Sequence, residues 1–491
     1  MTKTRDLADL GGGFIQAGSG AVQRTVESKL QDVVSVKDFG AVGDGVADDT
    51  VAIQAAVNSV SSGGQVYFPS GTYQISSAIS LPSAAVVLKG ASRWTTRLRQ
   101  STLNTSVVSI SGMFCGIQSL SFSYSGGTPA SGATAINVTG SYASLTNFVI
   151  ANCHTGVRFN NCVAGKVSGF EVLDYESIGI LIDTCNDVFV SHFIINAGNS
   201  TRGALGGIRL ANKAEAIVVS DGDILLGQYS MTMDAGTYGI GTRPAYNNFT
   251  NVFFDSAALT AQITKCVETE FVGCWFSNGR TGGGSPGASI SNCDSVRFTN
   301  CRFFNSGANG CTVSATAQNI IFTACKFESN SVTTGSGVAH GLQFADNTTK
   351  FQVIGCRAAN GLFGGQQGYG IFVGSSCSDY NLIGNSVLGN VQSPGLIDAG
   401  SQPKVVYGNI GFKTVNSGTA TISSGTTTSV VTHGLNVTPN LKDIMLTRTS
   451  SNAGSVDLYV TNITSTQFTI NTAPAPSSNI SVAWQARNRD A

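Results

Sequence analysis

Two carboxylates beside aromatic side chains form the arrangement in this sequence best suited to chemistry. That chemistry is glycoside hydrolysis. One carboxyl protonates the leaving oxygen, and the other activates water or attacks directly. Asp223 and Asp255 fall in neighbouring sequence repeats, offset by two residues, close to Phe253 and Trp275. One repeat step combined with a two-residue step puts them about 8 Å apart. That separation suits inversion, which needs about 6.5–9.5 Å, better than retention at about 5–5.5 Å. Glu171 lies two repeats from Asp223, about 10 Å away, and Asp174 follows where a loop could bring it inward. Asp234 opens a loop carrying Tyr238, Arg243 and Tyr246. Glu268 and Glu270 belong to a different strand face, about 7 Å apart. Each acid taken singly also fits an ion pair or a turn. As a group the acids concentrate between residues 171 and 270.

The elements that must position these residues are visible as a repeat. An apolar residue, two variable ones, an apolar residue or Cys, one variable residue and a further apolar one recur down the chain. Copies run Ile117–Phe122, Leu145–Ile150 and Val167–Val172. Others begin at Val190, Val219, Phe249, Phe271, Phe298, Phe322, Val353 and Leu382, eleven in all at separations of 22 to 31 residues. A period in that range marks a solenoid whose units bury their apolar faces against one another. A second alternating element precedes most copies, as in Gly156–Cys162 and Gly179–Cys185, and a short alternating stretch lies between. Three short strands per repeat, punctuated by Gly and Asn, predict a parallel β-helix. Right-handed crossover is the default for parallel strands.

The fifth position of each copy lies between two buried ones and should face solvent. Down the chain it reads Ser121, Val149, Glu171, Ile194, Asp223, Phe253, Trp275, Arg302, Lys326, Arg357 and Ser386. Aromatic residues such as Phe253 and Trp275 could stack on sugar rings, and Arg302 and Lys326 could hold an acidic glycan. A solvated face, or a surface buried between subunits, is the competing reading.

Charged residues make up 11% of the 491 residues and the net charge is zero, so nucleic acid is not an expected partner. No apolar run is long enough to span a bilayer, and no signal peptide is visible in the polar first ten residues. Twelve cysteines are present. Cys274, Cys301, Cys325 and Cys356 take the central apolar position of the repeat, and Cys162, Cys185, Cys266, Cys293 and Cys377 each precede a copy by five residues. This placement predicts interior columns of free thiols, which implies synthesis in a reducing cytoplasm. Zinc spacing, phosphate loops and dinucleotide fingerprints are missing, so no metal or cofactor is expected. His192 and Asp221 share the third repeat position with Asn147, Asn251 and Asn300, which places them in a turn ladder rather than a catalytic pair.

Ahead of the repeats, Asp48 or Asp49 is positioned to cap a helix carrying Ile53, Ala56, Val57 and Val60 on one face, which would close one end of the solenoid. The stretch from Val34 to about Gly90, with Asp44, Asp48 and Asp49 in turns, resembles the pectate-lyase-like right-handed β-helix superfamily in the form found in bacteriophage tailspikes. The preceding Phe14–Lys29 segment looks like the joint between such spikes and the tail. The resemblance implies a homotrimeric virion protein, made in the host cytoplasm. It would attach to the phage tail or an adaptor protein through residues 1–34. It would recognise, and often cleave, a bacterial surface polysaccharide such as capsule or O-antigen through residues 35–411. It does not imply which residues are catalytic.

From about Phe412 the repeat stops. Ser, Thr and Gly dominate residues 414–428, and alternating strands follow at 443–447, 456–460, 467–470 and 480–484. Residues 412–491 are expected to form a small antiparallel sandwich that trimerises or binds sugar. The leading expectation is an endo-acting depolymerase that hydrolyses polysaccharide without membrane insertion. A polysaccharide lyase using Arg, Lys, His or Tyr as base on a uronic acid, and a non-enzymatic receptor-binding spike, are the alternatives.

Overall fold

The computed structural model describes residues 13–30, 32–234, 242–278, 284–314, 316–361, 366–451 and 456–488. The chain divides into two compact units, Met1–Ala204 and Leu205–Ala491.

In the first unit the repeat copies stack strand on parallel strand in register. Val34 pairs with Val66, Val66 with Leu88, Leu88 with Ile117, Ile117 with Leu145, Leu145 with Val167, and Val167 with Val190. The motif spacing is therefore the coil length. A second parallel sheet runs from Ile79–Leu81 through Val108–Ile110, Thr134–Val138 and Thr155–Asn160 to Ile178–Asp183. Between the sheets Phe148, Phe170 and Phe193 stack with centroids 5.1 and 5.5 Å apart. The helix Thr50–Ser59 buries Ile53, Ala56 and Val57, while Val60 at its end is half-buried. Asp44, Asp48 and Asp49 accept backbone N–H groups of Val46 and Ala47, of Thr50, and of Val42 and Gly43 respectively. These carboxylates shape the turns before the helix.

In the second unit Val219, Phe249, Phe271, Phe298, Phe322, Val353, Leu382 and Val406 form one continuous register column. Phe254, Phe276, Phe303 and Phe327 form a second interior stack at 5.0, 4.7 and 4.9 Å. In the coils Val218–Leu225 and Asn248–Asp255, the second and third expected strands run on as one bent strand. From Val267 onward they separate, as in Val267–Val272 and Trp275–Ser277. The bend falls on the third repeat position, where Asp221, Asn251, Gly273, Asn300 and Gly355 all have φ between 52° and 64°. His192, in the first unit, has φ 53° at the same position. Gly, Asn and Asp tolerate this left-handed conformation better than other residues, which explains the column's composition.

All twelve cysteines are buried and unbridged. Cys162 and Cys185 place their sulfurs 3.4 Å apart, as do Cys266 and Cys293. Cys301, Cys325 and Cys356 each donate to a carbonyl of the preceding coil.

Residues beyond Phe412 form two three-stranded antiparallel sheets around Phe468, Ile470, Ile480, Val482 and Trp484. The Ser/Thr/Gly-rich stretch is not a linker. It supplies the strand Val415–Ile422, paired along its length with Ile480–Arg487, and Thr428–Thr432 pairs with Gln467–Ala473. Backbone pairing satisfies a polar edge strand without demanding apolar alternation, so this strand left little trace in hydropathy. Among the described residues no helix is long and apolar enough to cross a membrane, and no group of acidic, His and Cys side chains could hold a metal.

Candidate active site

The outward column of the second unit follows from the register. Asp223 pairs with Phe253, Phe253 with Trp275, Trp275 with Arg302, Arg302 with Lys326, and Lys326 with Arg357. The alternate residues Ile224, Phe254, Phe276, Phe303 and Phe327 point inward and are fully buried. Period-two alternation therefore forces this acid, aromatic and basic series to one face.

Asp223 is half-buried, and one of its carboxylate oxygens is buried without a hydrogen-bond partner among the described residues. Burial, reinforced by the charge of Asp255, pushes its carboxyl up to about 6. Asp255 pairs with Leu225, two residues along the strand from the Asp223–Phe253 pair. A carboxyl whose proton affinity is raised to about 6 beside a second carboxylate is the electrostatic pattern of an acid and base pair.

Phe253 and Trp275 are 38% and 40% exposed and lie 4.6 Å apart at 35°. Phe304 braces Trp275 edge-on at 5.5 Å, and the Arg302 guanidinium lies 4.3 Å from the Phe304 ring centre. Glu328 sits under the cations. Its carboxylate is 3.3 Å from Arg302 and 3.5 Å from Arg357, with a side chain only 10% exposed. Sequence reasoning missed Glu328. Its only signal was a single acid in the strand Lys326–Glu328, where the neighbouring coils carry bases.

The other candidates are placed elsewhere. Glu171 is held by Arg93 at 3.1 Å, and Arg93 also reaches the Gly169 carbonyl. Ser121 and Val149, expected to face solvent, are buried. Ser121 donates its hydroxyl to the Thr96 carbonyl, and Arg93, from the bend before that strand, reaches Gly169 and Glu171 three coils on, past the strands of Ser121 and Val149. In the first unit this face is therefore partly closed. Asp174 is bound by Arg202 at 3.5 Å, which also pairs with Glu176 at 3.2 Å. Asp234 ends a strand of the other sheet and is paired with Arg209 at 3.2 Å. Tyr238 lies outside the described residues. Arg243 is half-buried in the bend that leads to Ala245.

Glu268 and Glu270 line a separate cleft of about 180 Å³ with Tyr246 and Arg297. Glu270 pairs with Asn248 above and Arg297 below, on the strand that precedes the bend. Tyr246 and Glu268 both take left-handed backbone, at φ 57° and 43°, Glu268 within the strand Val267–Val272. The structure thus brings Asp223, Asp255, Phe253 and Trp275 together and assigns the two glutamates to a different strand.

A stacked parallel coil with a chemically graded outer column defines a β-helix bearing a lateral surface site. Residues 33–200 match the family model described as rhamnogalacturonase A/epimerase, pectate lyase-like, and residues 215–387 match that of the right-handed β-helix region. The chain thus carries a pectate-lyase-like segment followed by a segment of the right-handed β-helix type.

Among solved structures, the A-module of mannuronan C-5 epimerase AlgE6 from Azotobacter vinelandii is similar over 77% of this chain and 98% of its own, with TM-score 0.57 and 16% identity. Tailspike protein 3 of bacteriophage CBA120 is similar over 83% of this chain and 67% of its own, with TM-score 0.52 and 16% identity. A mutant tailspike of the E. coli bacteriophage HK620 is similar over 98% of both chains, with TM-score 0.52 and 13% identity. By sequence, 46 residues are 59% identical to mannuronan C5-epimerase AlgE6 of Azotobacter vinelandii, covering 9% of this chain and 5% of that protein. A 64-residue stretch is 45% identical to the plasmin and fibronectin-binding protein A of Streptococcus pneumoniae, covering 12% of this chain and 9% of that protein. The chain thus spans less than a tenth of the length of these curated relatives.

Proposed function

We propose that this protein is a phage tailspike that binds a bacterial surface polysaccharide and cleaves it internally by hydrolysis. Asp223 acts as general acid and Asp255 as the base that activates water. One observation carries the reading: a half-buried carboxyl with its proton affinity raised to about 6 shares a strand face with a second carboxylate and an exposed pair of rings. The estimated 8 Å offset leaves room for water between the carboxyls and favours inversion. Polysaccharide as the ligand is supported by the similarity to an epimerase of mannuronan and to tailspikes, one of them solved in complex with a pentasaccharide.

The protein is proposed to assemble as a homotrimer. In support, Val430, Met445 and Tyr459 leave apolar side chains exposed on the small C-terminal sandwich. The N-terminal segment is proposed to join the spike to the tail. Native mass spectrometry reads the assembly state, and a folded monomer overturns that part.

The test of function is incubation with capsule or O-antigen from bacteria to which the protein adsorbs, followed by reducing-end assay and mass spectrometry. Hydrolysis gives new reducing ends and saturated products. A lyase gives an unsaturated sugar that absorbs in the ultraviolet. The lyase reading draws on the bases Arg302, Lys326 and Arg357. It is weakened by Glu328, which holds both arginines in ion pairs. Binding without any chain shortening identifies a receptor-binding spike alone.

A further inference from the structure

We propose that the bound polysaccharide carries carboxylated sugars, and that Lys326, flanked by Arg302 and Arg357, holds one of their carboxylates. The inference rests on the reading of this column as a glycan groove and adds the chemical class of the glycan.

The argument begins with a cost. Arg302, Lys326 and Arg357 occupy the same position in three successive coils, directly paired in register. Like charges opposite one another on adjacent strands destabilise a sheet. Glu328 offsets part of that repulsion by taking both arginines, one from each side of its own coil. Three cations and one carboxylate leave a formal charge of +2 on this strip. The two guanidiniums are tethered from below by Glu328, and Arg302 is also held against Phe304. Lys326 stands between them, exposed, and makes no ion pair among the described residues. Two oriented guanidiniums around a free ammonium match the donor geometry that carboxylates select.

The column is also polar along its length. Asp223 and Asp255 mark one end, and a carboxylated sugar placed beside them would be repelled. Phe253 and Trp275 come next and offer ring faces to uncharged sugar rings. Lys326 lies four coils from Asp223, roughly 19 Å at the coil spacing. The glycan is therefore held with its scissile linkage at the acidic end and a carboxylated sugar several units away. The charge gradient sets the direction in which the chain lies.

The experiment uses polysaccharide purified from a strain to which the protein adsorbs, native and after carbodiimide-activated borohydride reduction of its carboxyl groups. Affinity is measured by calorimetry on the Asp223→Asn protein, so that cleavage does not intervene. Carboxyl reduction is expected to weaken binding about tenfold, the worth of one charge-assisted hydrogen bond. Lys326→Met should weaken binding of the native polymer by a similar factor and leave binding of the reduced polymer unchanged. Lys326 is exposed, so circular dichroism of the variant should match the parent. Equal affinity for both polymers, or a polymer whose composition contains no carboxylate, overturns the inference. So does an unchanged affinity in Lys326→Met.

The catalytic reading is scored separately, by cleavage in Asp223→Asn and Asp255→Asn. Cleavage abolished in both with no effect of carboxyl reduction leaves the hydrolase standing and removes the anion subsite. Cleavage retained in both, with carboxyl-dependent binding through Lys326, does the reverse.

Discussion

Asp223 and Asp255 stand one coil and two residues apart on one strand face, and the Asp255 charge adds to burial in raising the Asp223 carboxyl to about 6. The relationship is produced by register alone. Shifting either strand by one residue would turn its acid into the core.

The first prediction concerns turnover against pH. Asp223 must carry its proton to act as acid, and the protonated fraction falls as pH rises through about 6. Cleavage should therefore decline on the alkaline side with an apparent midpoint near 6. Asp223→Asn should lower turnover by about 10²–10⁴ and remove that limb. A flat profile from pH 5 to pH 8, measured by reducing-end assay, would show that another group delivers the proton.

A second prediction concerns stability. The folded Asp223 carboxyl binds its proton more tightly than an ordinary Asp carboxyl, which titrates near 3.8. Its contribution is fully favourable below about 4 and is lost as pH rises through about 6. Asp223→Asn removes the buried charge that costs stability at neutral pH. The variant should be more stable than the parent at pH 7.5, by about 1 kcal/mol once solvent screening of this half-exposed group is allowed for. At pH 4 the difference should vanish. Thermal unfolding at the two pH values reads both, and a destabilised variant at pH 7.5 would sink the linkage argument.

Trp275 gives a third. It projects from the column at 40% exposure, braced by Phe253 and Phe304. Trp275→Ala should weaken oligosaccharide binding by about 1 kcal/mol while leaving the turnover of saturating substrate nearly unchanged. A loss confined to turnover would assign Trp275 to orienting the scissile bond instead.

The thiols give a fourth. Burial pushes the Cys153, Cys274, Cys301 and Cys311 thiols far above the ordinary range, so thiolate is scarce. Native protein should react with few thiol-reagent equivalents, and all twelve should titrate after denaturation. Rapid labelling of most thiols in the native state would contradict the buried columns.

The coil register was legible in the sequence because each copy repeats the same inward positions. Val219, Phe249, Phe271 and Phe298 pair with one another as their motif spacing requires. The third-position column was legible too, since Asn147, His192, Asp221 and Asn251 all take left-handed φ values. The partners of the outlying acids were not. Arg93 meets Glu171 across 78 residues, and Arg209 meets Asp234 across 25. Arg93 sits in a bend that carries no periodicity, and Arg209 lies on the adjacent strand of the other sheet, two residues out of step with Asp234. Ser121 and Val149 were misplaced for the same reason, because a strand pattern reports which face a residue takes and not what folds over that face. Glu328 was passed over because its value lies in two arginines on the coils above and below.

The sulfur columns have a consequence for the lifetime of the molecule. Inside the coil, Cys162 and Cys185 are neighbours only because their strands are stacked. A chain that uncoils in an oxidising medium would release twelve thiols able to pair in wrong combinations, and each such bond would bar the return to register. Unfolding outside a reducing compartment is then a one-way event. Persistence there is governed by the height of the barrier to opening the first coil rather than by the balance between folded and unfolded chains.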